Sequence, residues 1–264
     1  MQKSFLLYLV IIFSIGFSSC RKVININLND AAPQLVIQGN VTNVLGITTV
    51  TIGKTINYSL NNIFPTVSGA IVKIKDSTNG NIFTLSEITA GTYQTATLQG
   101  LQGHTYLLSV LLNGTEYKAS STMPSQVNLD SVTFQINTGF GQTLINPMPN
   151  LQDPANINNY YKFIQTINSK ITKKIFVFDD RLSDGKYIAR QIFNDSAYIQ
   201  LKDTVQLEMQ CLDKPVYEYF KELSGLDPTN GQPTSPSNPT SNISGGVLGY
   251  FSACTSQKKR AIVK

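Results

Sequence analysis

Few residue types in this chain can carry chemistry, and most of those are carboxylates. Asp179, Asp180 and Asp184 fall within the short run Asp179-Asp-Arg-Leu-Ser-Asp-Gly185. Calcium takes about six to eight oxygen ligands on a flexible loop, and such a run would supply some of them. The spacing is not that of an EF-hand, and Arg181 stands among the carboxylates. A solvated hairpin turn is therefore the expected state, with no bound metal or cofactor. His104 is the sole histidine, which excludes any cluster of several histidines on one metal. It lies between Gly103 and Thr105 in a turn-like context, and no Gly-x-Ser-x-Gly elbow accompanies it. Zinc spacings and phosphate-binding glycine loops are also missing. Tyr160, Tyr161, Tyr217, Tyr219, Tyr250 and Phe251 would serve as a carbohydrate or peptide platform, but amphipathic core is the plainer use of such residues. No catalytic residue is expected, and no ligand-binding set is assigned.

The N-terminus carries the most specific signal. Lys3 precedes an apolar run from Phe5 to Phe13, and the stretch from Ser14 to Ser19 brings small residues up to Cys20. A charged start, a short apolar core and small residues at a cut describe an export signal, too short to span a bilayer. Ser18-Ser19-Cys20 resembles the lipobox of bacterial lipoproteins, with Phe17 where leucine is usual. That resemblance implies cleavage after residue 19 and acylation of Cys20, which would become the first mature residue. Several acyl chains on one residue anchor a protein stably, whereas a single chain is marginal. Cys211 and Cys254 remain. An exported compartment permits them to pair. Cys211 is in phase with Val205, Leu207 and Met209, however, so a buried free thiol is the expectation.

The elements that must position these residues are mainly strands. At 14% charged residues and 41% apolar, the chain has material for real cores and is rich in Asn, Thr, Ser and Gln. The net charge of +5 is scattered, and Lys258-Lys-Arg260 reads as a solvated tail, so nucleic-acid binding is not expected. From Val67 to Met123, apolar and polar residues alternate between glycine turns, as in an antiparallel sheet with one covered face. Asn79-Gly80 and Asn113-Gly114 are hairpin signals. Pro124 cannot donate to a ladder and marks a boundary. Beyond it, strands are expected at 129–136, 160–167, 174–178, 187–193 and 204–211, with residues 137–159 as loop. One helix is expected at 214–223, capped by Asp213, started by Pro215 and ended by Gly225. A proline-rich loop, 226–242, leads to a last strand at 245–253.

The resulting expectation is a mainly β chain of two sandwich-like domains. It comprises a signal peptide at 1–19, an anchored segment at 20–34, a β-sandwich at 35–124, a second β-rich domain at 125–254 and a basic tail at 255–264. The stretch from Val67 to Met123 also resembles the transthyretin-like regulatory module attached to some carboxypeptidases and receptors.

An ordered set of short segments extends the resemblance along the mature chain. It includes Ser19-Cys-Arg-Lys-Val-Ile24, Leu35-Val-Ile-Gln-Gly39, Pro65-Thr-Val-Ser-Gly-Ala-Ile-Val72, Gly103-His-Thr-Tyr106, Asp153-Pro154, Asn159-Tyr-Tyr161 and Val216-Tyr-Glu-Tyr219. The most specific is Pro233-Thr-Ser-Pro-Ser-Asn-Pro239 leading into Asn242-Ile-Ser-Gly-Gly-Val-Leu-Gly-Tyr-Phe251. Together they resemble a Bacteroidota lipoprotein family known only as domain of unknown function 4249. The resemblance implies an outer-membrane lipoprotein, often encoded beside a TonB-dependent receptor, and it implies no catalytic residues. Arg21, Asn25 and Asn27 stand where acidic residues are usual, and such acidic residues resemble a cell-surface sorting signal. The periplasmic or surface face is thus left open. The expected role is binding or assembly with an outer-membrane β-barrel receptor or transporter. The rivals are an extracytoplasmic glycan or peptide hydrolase using Asp179 or Asp180 with Asp184, and a structural envelope protein.

Overall fold

The computed structural model describes residues 32–56, 63–139, 142–193, 199–226 and 237–264. The leader, Cys20, most of the anchored segment at 20–34 and most of the proline-rich loop lie outside the described residues. The fold is mainly β and sandwich-like, with one helix among the described residues.

The first strands are β1 (Leu35–Thr42), β2 (Thr48–Lys54), β3 (Ile71–Asp76), β4 (Ile82–Thr89), β5 (Thr92–Thr95), β6 (Thr105–Leu112) and β7 (Thr115–Thr122). Alternation drives them. In β3, Val72 and Ile74 are buried while Ile71, Lys73 and Lys75 face outward, and β6 repeats the pattern. The β6–β7 turn uses Asn113 and Gly114, both at positive φ. The β3–β4 turn differs from the expected two-residue form. Only Gly80 is at positive φ there, and the Asp76 carboxylate accepts from the backbone N–H groups of Thr78 and Asn79. β4 pairs with β3 through Leu85 and with β5 from Ser86 onward, and a register shift between Glu87 and Thr89 lies within the second pairing. The two layers then share one apolar core, in which Ile37, Val50 and Tyr93 meet Val72, Tyr106 and Val110.

The later strands are β8 (Ser131–Gly139), β9 (Gln142–Gln152), β10 (Tyr160–Ile167), β11 (Lys170–Ile171), β12 (Phe176–Asp179), β13 (Tyr187–Ala189), β14 (Thr204–Cys211) and β15 (Leu248–Ile262). The helix α1, Lys214–Gly225, lies between the last two. Most of the loop expected at 137–159 is strand, its first residues closing β8 and residues 142–152 forming β9. The prolines of β9 are tolerated because of the direction they face. Pro147 accepts from Ile192 N–H on the side away from β8, so its missing N–H, and that of Pro149 in the same phase, is not asked of the β8 ladder.

β15 joins the two halves. It runs parallel to β1, Val36 opposite Leu248 through Thr42 opposite Cys254, and antiparallel to β14. The sheet order is β11-β10-β14-β15-β1-β2-β5-β4-β3-β6-β7, with β12 beside β10 and a separate β13-β9-β8 sheet. The expected division at Pro124 falls in the 123–130 connection, yet the hydrogen-bonded sheet runs on past it, and Pro33–Lys264 is one compact unit. The expected basic tail at 255–264 is replaced by the second half of β15. Thr255 and Ser256 are buried there, and Ala261 and Val263 pack on the core of the second half while Lys258 and Arg260 point the other way. Alternation turns Lys258 and Arg260 away from that core, while Lys259, on the same phase as Ala261, is exposed nonetheless.

Candidate functional site

The carboxylates gather where the loop after β9 meets the turn after β12. Asp153, Asp180 and Asp184 each bring an oxygen to within 4.8 Å of the others. Asp153 and Asp180 are buried, and Asp184 is exposed. Gly185 permits this approach. It sits at φ +69, and a Cβ there would lie 2.8 Å from the Ala155 side chain. Each acid already has donors. Asp180 accepts from Asn159 N–H at 2.7 Å, Asp184 from Asn156 N–H at 2.8 Å, and Asp153 from Gly185 N–H at 3.2 Å and from the Tyr161 hydroxyl. Burial pushes the Asp153 carboxyl up, aided by the nearby Asp180 and Asp184 charges, against the lowering by Tyr161 and Gly185.

Two of the three carboxylates singled out in the sequence thus converge, and the third does not. Asp179 points to the other side of β12, as alternation requires. There it accepts from Arg181 Nε at 2.8 Å and from the Tyr217 hydroxyl on α1 at 3.0 Å. Burial raises its pKa, but these hydrogen bonds outweigh it and hold the carboxyl below its ordinary value, while Tyr217 is pushed up to about 12, chiefly by burial. Asp153 takes the place of Asp179 in the cluster. In the sequence, Asp153-Pro154 stands out only as one of the short segments that carry the family resemblance. Chemically, the three acids are a set of hard oxygens of the kind that holds a divalent cation. With the donors present, they also form a latch between two loops.

His104 is not beside a nucleophile among the described residues. Its Nδ1 lies 2.7 Å from Asp76 Oδ2, and this pair ties the start of β6 to the end of β3. The six aromatics divide between cores. Tyr161 and Phe251 are fully buried, and Tyr160, Tyr217, Tyr219 and Tyr250 pack around α1. They do not form an open platform. Cys211 and Cys254 are both free and buried. Thr255 is the registered partner of Cys211, so Cys254 is one residue out of phase and faces the opposite side of the sheet.

Lys162 went unnoticed in the sequence, within the strand Tyr160-Tyr-Lys-Phe. It is buried beneath α1 with its ammonium 3.7 Å from the Phe220 ring centroid, and burial lowers its pKa to about 8. A second unnoticed feature is the outer face of β4-β3-β6-β7. Register places Ile82, Lys75, Leu107 and Ser120 in one row, Thr84, Lys73, Ser109 and Lys118 in the next, and Ile71, Leu111 and Glu116 in a third. A groove of about 740 Å³ runs between this face and the segment Ser241–Ser244.

A mainly β, sandwich-like scaffold of this kind hosts many unrelated functions, so the fold alone assigns none to the carboxylate latch. The chain belongs to the family described as domain of unknown function 4249 (DUF4249), whose family model matches residues 21–260. No curated protein matches the chain.

Proposed function

We propose that this protein is an exported, lipid-anchored lipoprotein of the bacterial outer membrane. In this reading it serves as a binding or accessory subunit of a TonB-dependent receptor or transporter, in the manner implied by its resemblance to Bacteroidota lipoproteins. The observation that carries it is the run from Lys3 to Cys20, with the family match opening at the next residue, Arg21. The structure supports binding over turnover. Asp153 and Asp180 are buried and engaged by backbone and side-chain donors. A glycosidase or peptidase would need such carboxylates open to a polymer.

Two measurements test this. In the native host, Cys20→Ser should leave an unprocessed or soluble precursor. Mature Cys20→Ser protein that still fractionates with the outer membrane would overturn the anchor. Detergent extraction of the parent protein followed by mass spectrometry should recover an outer-membrane β-barrel. Recovery of the lipoprotein alone, under conditions that keep other receptor complexes intact, would count against the accessory role.

A further inference from the structure

Among the described residues, no other strand or helix covers the outer face of β4-β3-β6-β7, and the segment Ser241–Ser244 flanks it. Ile82, Ile71, Leu111 and Leu107 are 61%, 52%, 39% and 37% exposed on this face. Lys75 lies between Ile82 and Leu107, and Lys73 lies between Thr84 and Ser109, two strands away from Lys118. Neither Lys73 nor Lys75 has an ion pair among the described residues, whereas Lys118 pairs with Glu116 at 2.9 Å. We propose that this face docks against an anionic lipid surface, the aliphatic side chains resting on the acyl boundary and the lysine ammoniums at the level of the phosphates.

Two observations favour a bilayer over a protein partner. The first is where the lysines sit. Lysine is depleted from protein interfaces, whose binding energy concentrates in aromatic and arginine anchors. Here the two lysines without ion pairs lie on β3, an inner strand of the face, and no aromatic stands in the three rows. A protein partner would have to desolvate both ammoniums. A bilayer does not, because a lysine stem can lie along apolar surface while its head reaches the phosphates.

The second is the edge. A peptide that adds a strand needs the free side of β7, and the segment Ser241–Ser244 already occupies it. Ala119 bridges Ile243, Ser244 N–H donates to Lys118 O at 2.7 Å, and Asn242 Nδ2 donates to Ser120 O at 3.3 Å. The face itself is small, about 14 Å across four strands. Contact of that size gives reversible association, suited to orienting a molecule held near a membrane by other means.

A chain beginning at Arg21 retains the whole compact unit Pro33–Lys264 and lacks both the apolar leader and Cys20, so its vesicle binding reports the folded surface without lipidation. It should co-sediment with vesicles containing phosphatidylglycerol, bind pure phosphatidylcholine vesicles more weakly, and dissociate as salt is raised. Lys73→Gln with Lys75→Gln should weaken anionic binding at least tenfold, at about fivefold per lysine. Lys73→Arg with Lys75→Arg should retain it. Ile82→Ser with Leu107→Ser should weaken binding and leave the melting temperature near that of the parent, because both side chains are exposed. Equal binding to both vesicle types would overturn the proposal. So would parent-like binding by the glutamine pair, or face variants that lose a co-purifying protein while keeping vesicle binding. The anchor stands or falls separately, on the Cys20→Ser fractionation.

Discussion

The two halves of the sheet bury different things. Between β1 and β7 the interior is almost wholly aliphatic and aromatic, and Thr48, Asp76 and Ser121 are its few buried polar residues. From β8 to β14 the buried set includes Asn146, Asn150, Asp153, Asn159, Lys162, Gln165, Asp180 and Gln210. The first half is thus specified by alternation, which any apolar residue of the right volume satisfies. The second is specified by partners. A buried polar group must meet its particular donor or acceptor, so a change of one atom matters more than a change of volume.

The strongest way to test this contrast is to remove what the halves share. A chain ending at Gly225 lacks β15, which pairs with a strand from each half, and should yield no soluble folded protein in an expression and solubility assay. A truncated protein that melts like the parent would show the halves to be separable. A single substitution probes the same seam. Gly249 sits at φ +104, and a Cβ there would lie 1.9 Å from the Ile37 carbonyl oxygen. Gly249→Val should cost at least about 3 kcal/mol in chemical denaturation. Phe251→Ala, a fully buried ring in the first core, should cost about 3–5 kcal/mol, with a lowered denaturation midpoint.

Smaller effects separate the halves more finely. Asp180→Asn keeps the volume but weakens the acceptor for Asn159, and should cost about 1–3 kcal/mol. Ile74→Val in the first half removes a methylene and should cost about 1 kcal/mol. If Asp180→Asn proved silent while Ile74→Val did not, specification by partners would fail as a description of the second half.

Two buried carboxylates, one in each half, should respond to acid with opposite signs. Burial raises the Asp76 pKa, but hydrogen bonds from His104, Thr78 and Asn79 outweigh it, and the carboxyl titrates below its ordinary 3.8. The folded state therefore binds this proton less readily than the unfolded chain. The stabilisation is present above the ordinary value and is lost as pH falls through the lowered one. Asp153 is raised, so the sign reverses. The folded state binds its proton more readily, and stability from this group falls as pH rises from 3.8 through the raised value. His104→Gln should move the midpoint of acid unfolding upward, and Asp153→Asn should flatten the loss of stability on the neutral side of 3.8.

The first half was also the more legible in the sequence. The period-two runs of β3 and β6 and the Asn113-Gly114 turn announce themselves because local chemistry and tertiary burial agree. The strands β10 and β14 and the Asp213 cap, which accepts from Val216 N–H at 3.3 Å, were equally plain. The helix does run on to Gly225, however, and Leu226 after it is right-handed, so the expected glycine stop is absent. β9 was hidden because its prolines look like loop, and only the side on which their carbonyls bond reveals the strand. The second half of β15 was hidden by its cations. The carboxylate cluster was half visible. The sequence shows Asp180 and Asp184 as neighbours, but Asp153 joins them only through the fold, and alternation alone turns Asp179 away. The aliphatic and lysine face was written in the same alternation that gave β3, read on its outward side.

The parallel pairing of β1 with β15 also governs timing. Gly39 rests beside Phe251, so a strand near the start of the described chain must wait for one near its end. A polypeptide that emerges in order, from a ribosome or through a membrane pore, cannot close its first core until nearly all of it has arrived. Until then Ile37 and Val41 lack the neighbour that covers them, and one edge of β1 stays open to any passing strand. Such long-range closure is slow, on the order of milliseconds to seconds even for the whole chain in water. The incomplete chain therefore carries that open edge until its last fifteen-residue strand arrives.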